Sequence, residues 1–204
     1  MSAAGYDVPA ARVRVEDVIE RSRFVTTIGP AADAAAARAF IDEVRAEFPE
    51  ATHNCWAYVA GPPGSTAVIG MSDAGEPHGT AGRPMLDVLL HSGVGDVVAV
   101  VTRWFGGTKL GKGGLVRAYG GAVQHGLAEL PRARRIARVE LRITAGYADV
   151  AALRRLLVEH EAEILAEVFM EEVDWRVAVP VQYAAALRDA IAGVTAGKGR
   201  VESE

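Results

Sequence analysis

Cysteine and long apolar runs are scarce in this chain of 204 residues. The single cysteine, Cys55, excludes an intrachain disulfide and a cysteine-based metal cluster, which is typical of a reducing cytoplasm. No apolar run approaches the ~18 residues that a membrane helix needs, and the first residues lack the apolar core of a signal peptide. The sequence therefore predicts a cytoplasmic protein with no membrane partner and no resident metal or cofactor.

A general excess of basic residues is also lacking, because 22 Lys and Arg face 26 Asp and Glu and the formal net charge is −4. This balance excludes a generally basic nucleic-acid binder. The charge is uneven, however, since residues 101–140 carry eight Arg or Lys and only two acids, Glu129 and Glu140. The asymmetry indicates a local anion-binding face. The alternative is that the arginines of 132–138 only solvate a linker.

Short apolar segments separated by turn signals predict an α+β protein of two domains, residues 1–134 and 135–204. The first domain is predicted to be of βαβ type, with a loose tail over residues 1–10. Its strands are expected at 13–18, 24–27, 53–61, 68–71 and 97–101, and its helices at 33–48, 84–93 and 114–129. After a linker at 132–138, the second domain has the pattern strand–helix–strand–strand–helix with a short last strand, which is the ferredoxin-like arrangement.

A glycine-rich basic loop follows the most apolar strand. Residues 106–114 contain five glycines, two lysines and no acid, and a helical apolar pattern begins directly after them. Such a loop can present backbone N–H groups and the positive end of a helix dipole to an anion. The spacing of Gly106, Gly111 and Lys112 matches a P-loop, but Gly113 stands where a Mg²⁺-binding Ser or Thr is required. A nucleoside triphosphatase is therefore disfavoured.

Ten residues are predicted to contact a nucleic acid or another anion. They are Arg103, Trp104, Gly106, Gly107, Lys109, Gly111, Lys112, Gly113, Gly114 and Arg117. In this interpretation the four cations contact phosphates and Trp104 stacks on a base. The alternative is that the glycines only permit a tight turn and close helix packing, and that the aromatic ring belongs to the core.

A second polar loop, residues 72–82, offers candidate catalytic side chains. Asp73, Glu76 and His78 can supply acid–base chemistry or ligands for a metal, and His53 can approach them if the loops converge. Their spacing matches no specific metal signature.

Structural roles are the alternative for the same segments. Asp73 can bond turn amides, and Thr80 can cap the following helix. His53 and Cys55 lie two apart on one strand face, where neighbouring side chains point parallel rather than at each other. A packing cysteine is therefore favoured over a Cys–His nucleophile pair.

Four segments resemble the motifs of one known family. SRF at 22–24, HNCWAY at 53–58, SDAGEPHGTAGRP at 72–84 and VVTRWFGGTKLGKGGLVRAY at 100–119 are similar to the motifs of the YigZ/IMPACT family. That family typically shows HNC-x-AY, SDDGEP-x-GTAG-x-P and VTRYFGG-x-KLG-x-GGLVRAY. Ala74 replaces a frequent second aspartate, which weakens a metal-site interpretation, and Trp104 replaces a common tyrosine.

The resemblance implies a fold and a broad role. It places the N-terminal two-thirds in the superfamily that includes domain IV of elongation factor G and the GHMP kinases. The C-terminal domain resembles domain V of elongation factor G. Eukaryotic relatives regulate translation initiation by competing for a protein partner of a stress kinase. They carry an additional domain that this sequence lacks, so only a translation-linked or nucleic-acid-binding role is carried over.

Three functional hypotheses follow. The first is a translation-linked regulator that binds RNA or the ribosome through the basic glycine-rich loop. The second is an enzyme or small-molecule phosphate binder with a cleft between loops 72–82 and 106–113, which requires both loops to lie on the same side of the domain. The third is a protein-interaction adaptor whose partner the sequence does not name. An enzymatic activity is disfavoured but left open.

Overall fold

The computed structural model describes residues 5–203 and divides into two units, Tyr6–Arg135 and 136–203. Each unit combines helices with a sheet and has its own apolar core, so the α+β class is confirmed. The first four residues of the predicted N-terminal tail lie outside the described residues. Among residues 5–203, no helix is long and apolar enough to cross a bilayer.

The N-terminal unit is built on a five-stranded sheet with the order β2-β3-β6-β4-β5, in which all neighbouring strands are antiparallel. β3 and β4 are joined by α1 in a βαβ crossover, and β6 is inserted between them. The elements are β1 (Tyr6–Pro9), β2 (Val13–Ile19), β3 (Ser22–Pro30), α1 (Ala34–Glu47), β4 (His53–Ala60), β5 (Val68–Ser72), α2 (Gly82–Leu90), β6 (Val97–Trp104), α3 (Gly111–Ala128) and β7 (Arg132–Arg135).

β6 is the central strand and is buried on both faces. Side chains alternate along a strand, so Val97, Ala99 and Val101 contact the core under α2 and α3, whereas Val98 and Val100 contact the core under α1. The unbroken apolar run of the sequence is therefore explained by helices on both sides of the sheet. This three-layer packing holds the end of β6, and the loop after it, in a fixed position.

α1 has the boundaries that its capping residues predict. Asp33 accepts a hydrogen bond from the backbone N–H of Ala36 at 2.7 Å and so satisfies one orphan donor of the first turn. The helix ends at Glu47, shortly before Pro49, which cannot continue it.

The predicted tail and linker are wrong in part, because β1 and β7 pair with each other as a two-stranded antiparallel sheet. Ion pairs hold this ribbon: Asp7 lies within 3.6 Å of Arg132 and 3.4 Å of Arg134, and Asp96 lies 2.8 Å from Arg135. Both strands are short and polar, and they are distant in the sequence, so neither has a recognisable local pattern. The three arginines of this ribbon are consequently paired with aspartates.

The C-terminal unit follows the predicted element order. Its strands β8, β9, β10 and β11 form an antiparallel sheet in the order β11-β8-β10-β9, with both helices packed on one apolar core that includes Trp175. The elements are β8 (Arg138–Ala145), α4 (Val150–Glu159), β9 (Glu163–Phe169), β10 (Val173–Pro180), α5 (Ala184–Val194) and β11 (Arg200–Ser203).

Gly106 is required by a close approach of two backbones. A Cβ atom at this position would lie 1.9 Å from the carbonyl oxygen of Arg21. We expect Gly106→Ala to lower the free energy of unfolding by about 2–3 kcal/mol, as in overpacked cores. Gly113→Ala is the matched control, because its nearest contact would be Arg117 at 3.8 Å and alanine is the better helix former. Urea denaturation followed by tryptophan fluorescence measures both, and equal effects would contradict the steric role of Gly106.

Candidate functional site

The two loops singled out in the sequence line the same cleft, whose volume is about 380 Å³. Its walls are formed by Glu76, Pro77, Arg103, Phe105, Lys109, Leu110, Gly111, Lys112 and Leu115. The geometric condition of the second hypothesis is therefore met, since loops 72–82 and 106–113 lie on one side of the N-terminal unit.

Strand register brings the inner wall of the cleft together. Arg103, near the end of β6, is opposite Phe24 of β3 and His53 of β4. Because β3 and β4 both run antiparallel to β6, their first residues, Ser22 and His53, lie beside its last residues. Tyr119, on the buried face of α3, lies behind this wall.

A buried ion pair forms the base of the cleft. Glu76 Oε1 accepts hydrogen bonds from Arg103 Nη1 at 2.6 Å and from the Tyr119 hydroxyl at 2.8 Å. The Glu76 and Arg103 side chains are only 3% and 6% exposed. Arg103 Nη2 donates to Ser22 Oγ at 3.1 Å, and Ser22 Oγ also accepts the N–H of Gly106 at 3.2 Å. The ion pair thus joins the loop before α2, the end of β6 and the middle of α3.

His53 lies beside this pair and is partly exposed. Its Nδ1 lies 3.0 Å from the carbonyl oxygen of Ala74, and because a carbonyl only accepts, Nδ1 carries a proton. Its Nε2 lies 3.8 Å from Glu76 Oε1, and the side chain is 20% exposed. In the neutral ring, Nε2 is therefore a proton acceptor next to a carboxylate.

Cys55 and Tyr119 remain protonated. Burial raises the pKa of the Cys55 thiol to about 12, and Sγ donates to the carbonyl oxygen of Asp73 at 2.9 Å. Burial, together with contacts to Cys55 and Glu76, also raises the pKa of Tyr119. The thiol is consequently no nucleophile at neutral pH, in agreement with the packing interpretation of Cys55.

Asp73 anchors the loop before α2 rather than facing the cleft. Its carboxylate accepts the backbone N–H groups of Gly79, Ala81 and Gly82 at 2.8–3.0 Å. Burial alone would raise the pKa of Asp73, but these donors and nearby His78 lower it below its ordinary value.

The capping role suggested for Thr80 is wrong, and His78 lies outside the cleft. Thr80 does not cap α2, because its hydroxyl donates to the carbonyl oxygen of Pro77 at 2.7 Å, and Asp73 satisfies the first N–H groups of the helix instead. His78 is fully exposed, with Nδ1 3.7 Å from Asp73 Oδ2, and is not part of the cleft. Within residues 5–203, no cluster of three or more His, Cys, Asp or Glu side chains is arranged to hold a metal ion.

The glycine-rich loop supplies the charge at the mouth of the cleft. Lys109, Lys112 and Arg117 are exposed, and the ion pairs formed within the described part of the chain include none of them. α3 begins at Gly111, so the N–H groups of its first turn, including that of Gly113, have no acceptor within the helix. Three cations and the positive end of an 18-residue helix thus lie together.

Arg103 and Trp104 differ from the prediction that both contact nucleic acid. Arg103 is buried and paired with Glu76, so it is not a surface phosphate contact. Trp104 is half-buried, with the Arg23 guanidinium 4.5 Å from its ring centroid and the ring of Phe48 packed edge-to-face at a centroid distance of 5.5 Å. Phe105, the next residue along the chain, is 48% exposed and lines the cleft.

Known proteins resemble this chain along most of its length. A model of the Impact N-terminal domain matches residues 20–127, and a model of a domain of unknown function (DUF1949) matches residues 143–198. The IMPACT family member YigZ of Escherichia coli (strain K12) is 43% identical over 85% of this chain and 85% of its own. The chain belongs to the IMPACT family.

Another IMPACT relative and a solved structure also match most of the chain. The IMPACT family member YvyE of Bacillus subtilis (strain 168) is 35% identical over 92% of this chain and 85% of its own. A structure described as that of a hypothetical protein has a TM-score of 0.73 and 38% identity, and the match covers 100% of this chain and 98% of that one. The two-domain architecture is therefore found in a solved relative of the whole chain.

Each of the four IMPACT-like motifs contributes to the buried network. Its members are Ser22 of SRF, His53 and Cys55 of HNCWAY, Glu76 of SDAGEPHGTAGRP, and Arg103 and Tyr119 of VVTRWFGGTKLGKGGLVRAY. Sequence reasoning missed Ser22 and Tyr119, although their place inside the motifs was a usable signal.

The Glu76–Arg103 pair should show strong coupling. Glu76→Gln leaves a buried guanidinium without its counter-charge, and we expect a loss of about 3 kcal/mol in the free energy of unfolding. Adding Arg103→Met removes the orphaned charge and should restore at least half of that loss. Tyr119→Phe, which leaves the pair intact, should cost about 1 kcal/mol. Urea denaturation measures all three variants, and additive losses in the double variant would contradict the coupling.

Asp73 should stabilise the fold in a pH-dependent way. Its pKa is lowered in the folded protein, so its contribution is fully present above the ordinary carboxyl value of about 4 and is lost as the pH falls through the folded-state pKa. Asp73→Ala should therefore cost about 2 kcal/mol at neutral pH and much less near pH 3. Asp42→Ala, at a carboxylate that is 75% exposed, is the control. A pH-independent loss in Asp73→Ala would be inconsistent with this role.

Proposed function

We propose that this IMPACT family protein is a translation-linked regulator that binds RNA or the ribosome through the mouth of the cleft. Lys109, Lys112 and Arg117 would contact backbone phosphates, and the first turn of α3 would donate N–H groups to phosphate oxygens. The observation that carries the proposal is the group of three exposed cations at the start of α3, none of which forms an ion pair with another described residue.

The distribution of the other arginines supports this location. Arg132, Arg134 and Arg135 are engaged with Asp7 or Asp96, and Arg138 lies 3.2 Å from Glu163. The basic character of residues 101–140 is thereby concentrated on the glycine-rich loop and the first turns of α3. A compact positive patch on an acidic protein suits one stretch of phosphates rather than general polyanion binding.

The C-terminal sheet offers a different surface. Arg142 forms an ion pair with Asp174 at 2.8 Å, and Arg176 lies 3.9 Å from Glu140 on the same face. Cations that face acids in this way are a poor electrostatic match for phosphates, which supports RNA contact by the N-terminal unit.

We also propose structural superfamilies for the two domains. Residues 1–134 belong to the superfamily of domain IV of elongation factor G, and residues 135–204 form a ferredoxin-like domain similar to its domain V. The β3–α1–β4 crossover and the order β11-β8-β10-β9 support these assignments. A single buried cysteine supports a cytoplasmic location.

Neutralising the loop lysines tests RNA binding. With a single-stranded oligoribonucleotide, Lys109→Gln/Lys112→Gln should bind at least about tenfold more weakly at low salt. The slope of log affinity against log salt should fall by about 0.7 for each phosphate that the variant no longer neutralises. Fluorescence anisotropy over a salt series measures both quantities.

Lys198→Gln is the matched control, because it removes the third lysine of the chain from the C-terminal unit. It should leave both the affinity and the salt slope unchanged. Binding by the double loop variant that equals wild type at every salt concentration would refute the proposal.

A further inference from the structure

We infer that the cleft is a binding site for a terminal phosphomonoester, so that the protein binds RNA ends in preference to internal phosphates. The inference rests on the proposed RNA-binding function and names the chemical group that the cleft accepts. It is carried by the charge of the cleft, by the hydrogen-bonding character of its inner wall and by an exposed aromatic ring beside it.

The uncompensated charge of the cleft matches a dianion. Of the three cations that line it, Arg103 is neutralised by Glu76, whereas Lys109 and Lys112 have no carboxylate partner among residues 5–203. A phosphomonoester carries about −1.5 to −2 charge at neutral pH, whereas an internal phosphodiester carries a single negative charge. Two lysines and the start of α3 therefore favour the terminal group.

The start of α3 supplies donors to the cleft and suits a ligand group that only accepts hydrogen bonds. Glu76 Oε1 is already occupied by Arg103 Nη1 and the Tyr119 hydroxyl. Arg103 is 5% exposed, with Nη1 and Nη2 donating to Glu76 and Ser22, and its buried Nε has no acceptor among the described residues. N–H groups of the first turn of α3 add further donors from Gly111 and Lys112. Phosphate oxygens are such acceptors.

The size of the cleft and Phe105 suit one terminal nucleotide. A volume of about 380 Å³ lies at the lower end of small-molecule sites, which span about 300–1,000 Å³. The ring of Phe105 is half-exposed, and its backbone N–H donates to Thr52 Oγ1 at 3.1 Å, which anchors the residue. A base attached to the bound phosphate can stack on this ring.

Arg117 provides an internal comparison, because it belongs to the basic patch but does not line the cleft. It can contact the next phosphates of a chain whose end occupies the cleft. Removing it should weaken every RNA equally, whereas removing the cleft lysines should abolish discrimination between ends.

The experiment compares three oligoribonucleotides of one sequence, bearing a 5′-phosphate, a 3′-phosphate or only hydroxyl ends. Fluorescence anisotropy at fixed salt should show about tenfold tighter binding of at least one phosphorylated form. Lys109→Gln/Lys112→Gln should bind all three equally. Phe105→Ala should reduce the preference, and Arg117→Gln should lower all three affinities by the same factor. A free nucleoside monophosphate should compete with the phosphorylated RNA for the cleft and so remove its advantage in affinity.

Failure of the terminal site and failure of RNA binding are distinguishable. Equal affinity of wild type for all three RNAs would overturn the terminal phosphomonoester site and leave the RNA-binding function intact. Calorimetry with a nucleoside monophosphate covers the case in which no RNA binds. If the monophosphate binds and Lys112→Gln abolishes that binding, the phosphomonoester site is supported with a free mononucleotide as its ligand, and the RNA-binding function is overturned. If neither ligand binds, both are overturned.

Discussion

The buried ion pair between Glu76 and Arg103 is the interaction on which the N-terminal unit depends. It connects a polar loop to the end of the central strand, and the hydroxyl of Tyr119 connects both to α3. Two charges this deeply buried are tolerated only because they face each other and have further hydrogen bonds. The cleft exists where it does because this pair holds its two loops at a fixed separation.

Ion pairing divides the described basic residues of the N-terminal unit into neutralised and free cations. Glu76 neutralises Arg103 at the base of the cleft. Asp7 pairs with Arg132 and Arg134, and Asp96 pairs with Arg135. Among residues 5–203, the loop lysines and Arg117 have no such partners, so the positive potential is local even though the chain as a whole is acidic. This distribution confines the surface that attracts anions to one part of the N-terminal unit.

Local patterns predicted most of the elements and both loops that line the cleft. The apolar run of β6 and the Asp33 cap of α1 are short-range signals, and both appear in the structure as expected. The β1–β7 ribbon was missed because the pairing of four-residue strands so far apart in the chain leaves no periodic trace. Trp104 and Phe105 are adjacent aromatics, and only packing against Arg23 and Phe48 distinguishes the covered ring from the exposed one.

Sequence by itself determined the α+β class, the IMPACT-like motifs and the basic glycine-rich loop, because each is written in residues close together along the chain. Only the tertiary structure decided which of those residues are buried, which are paired and which face the solvent. Asp73 and His78 were equal candidates with Glu76 until folding assigned the first to backbone amides and left the second in solvent. Arg103 was predicted to be a surface cation, but in the structure it is the buried partner of Glu76. Burial and pairing arise between distant segments, so no local pattern could reveal them.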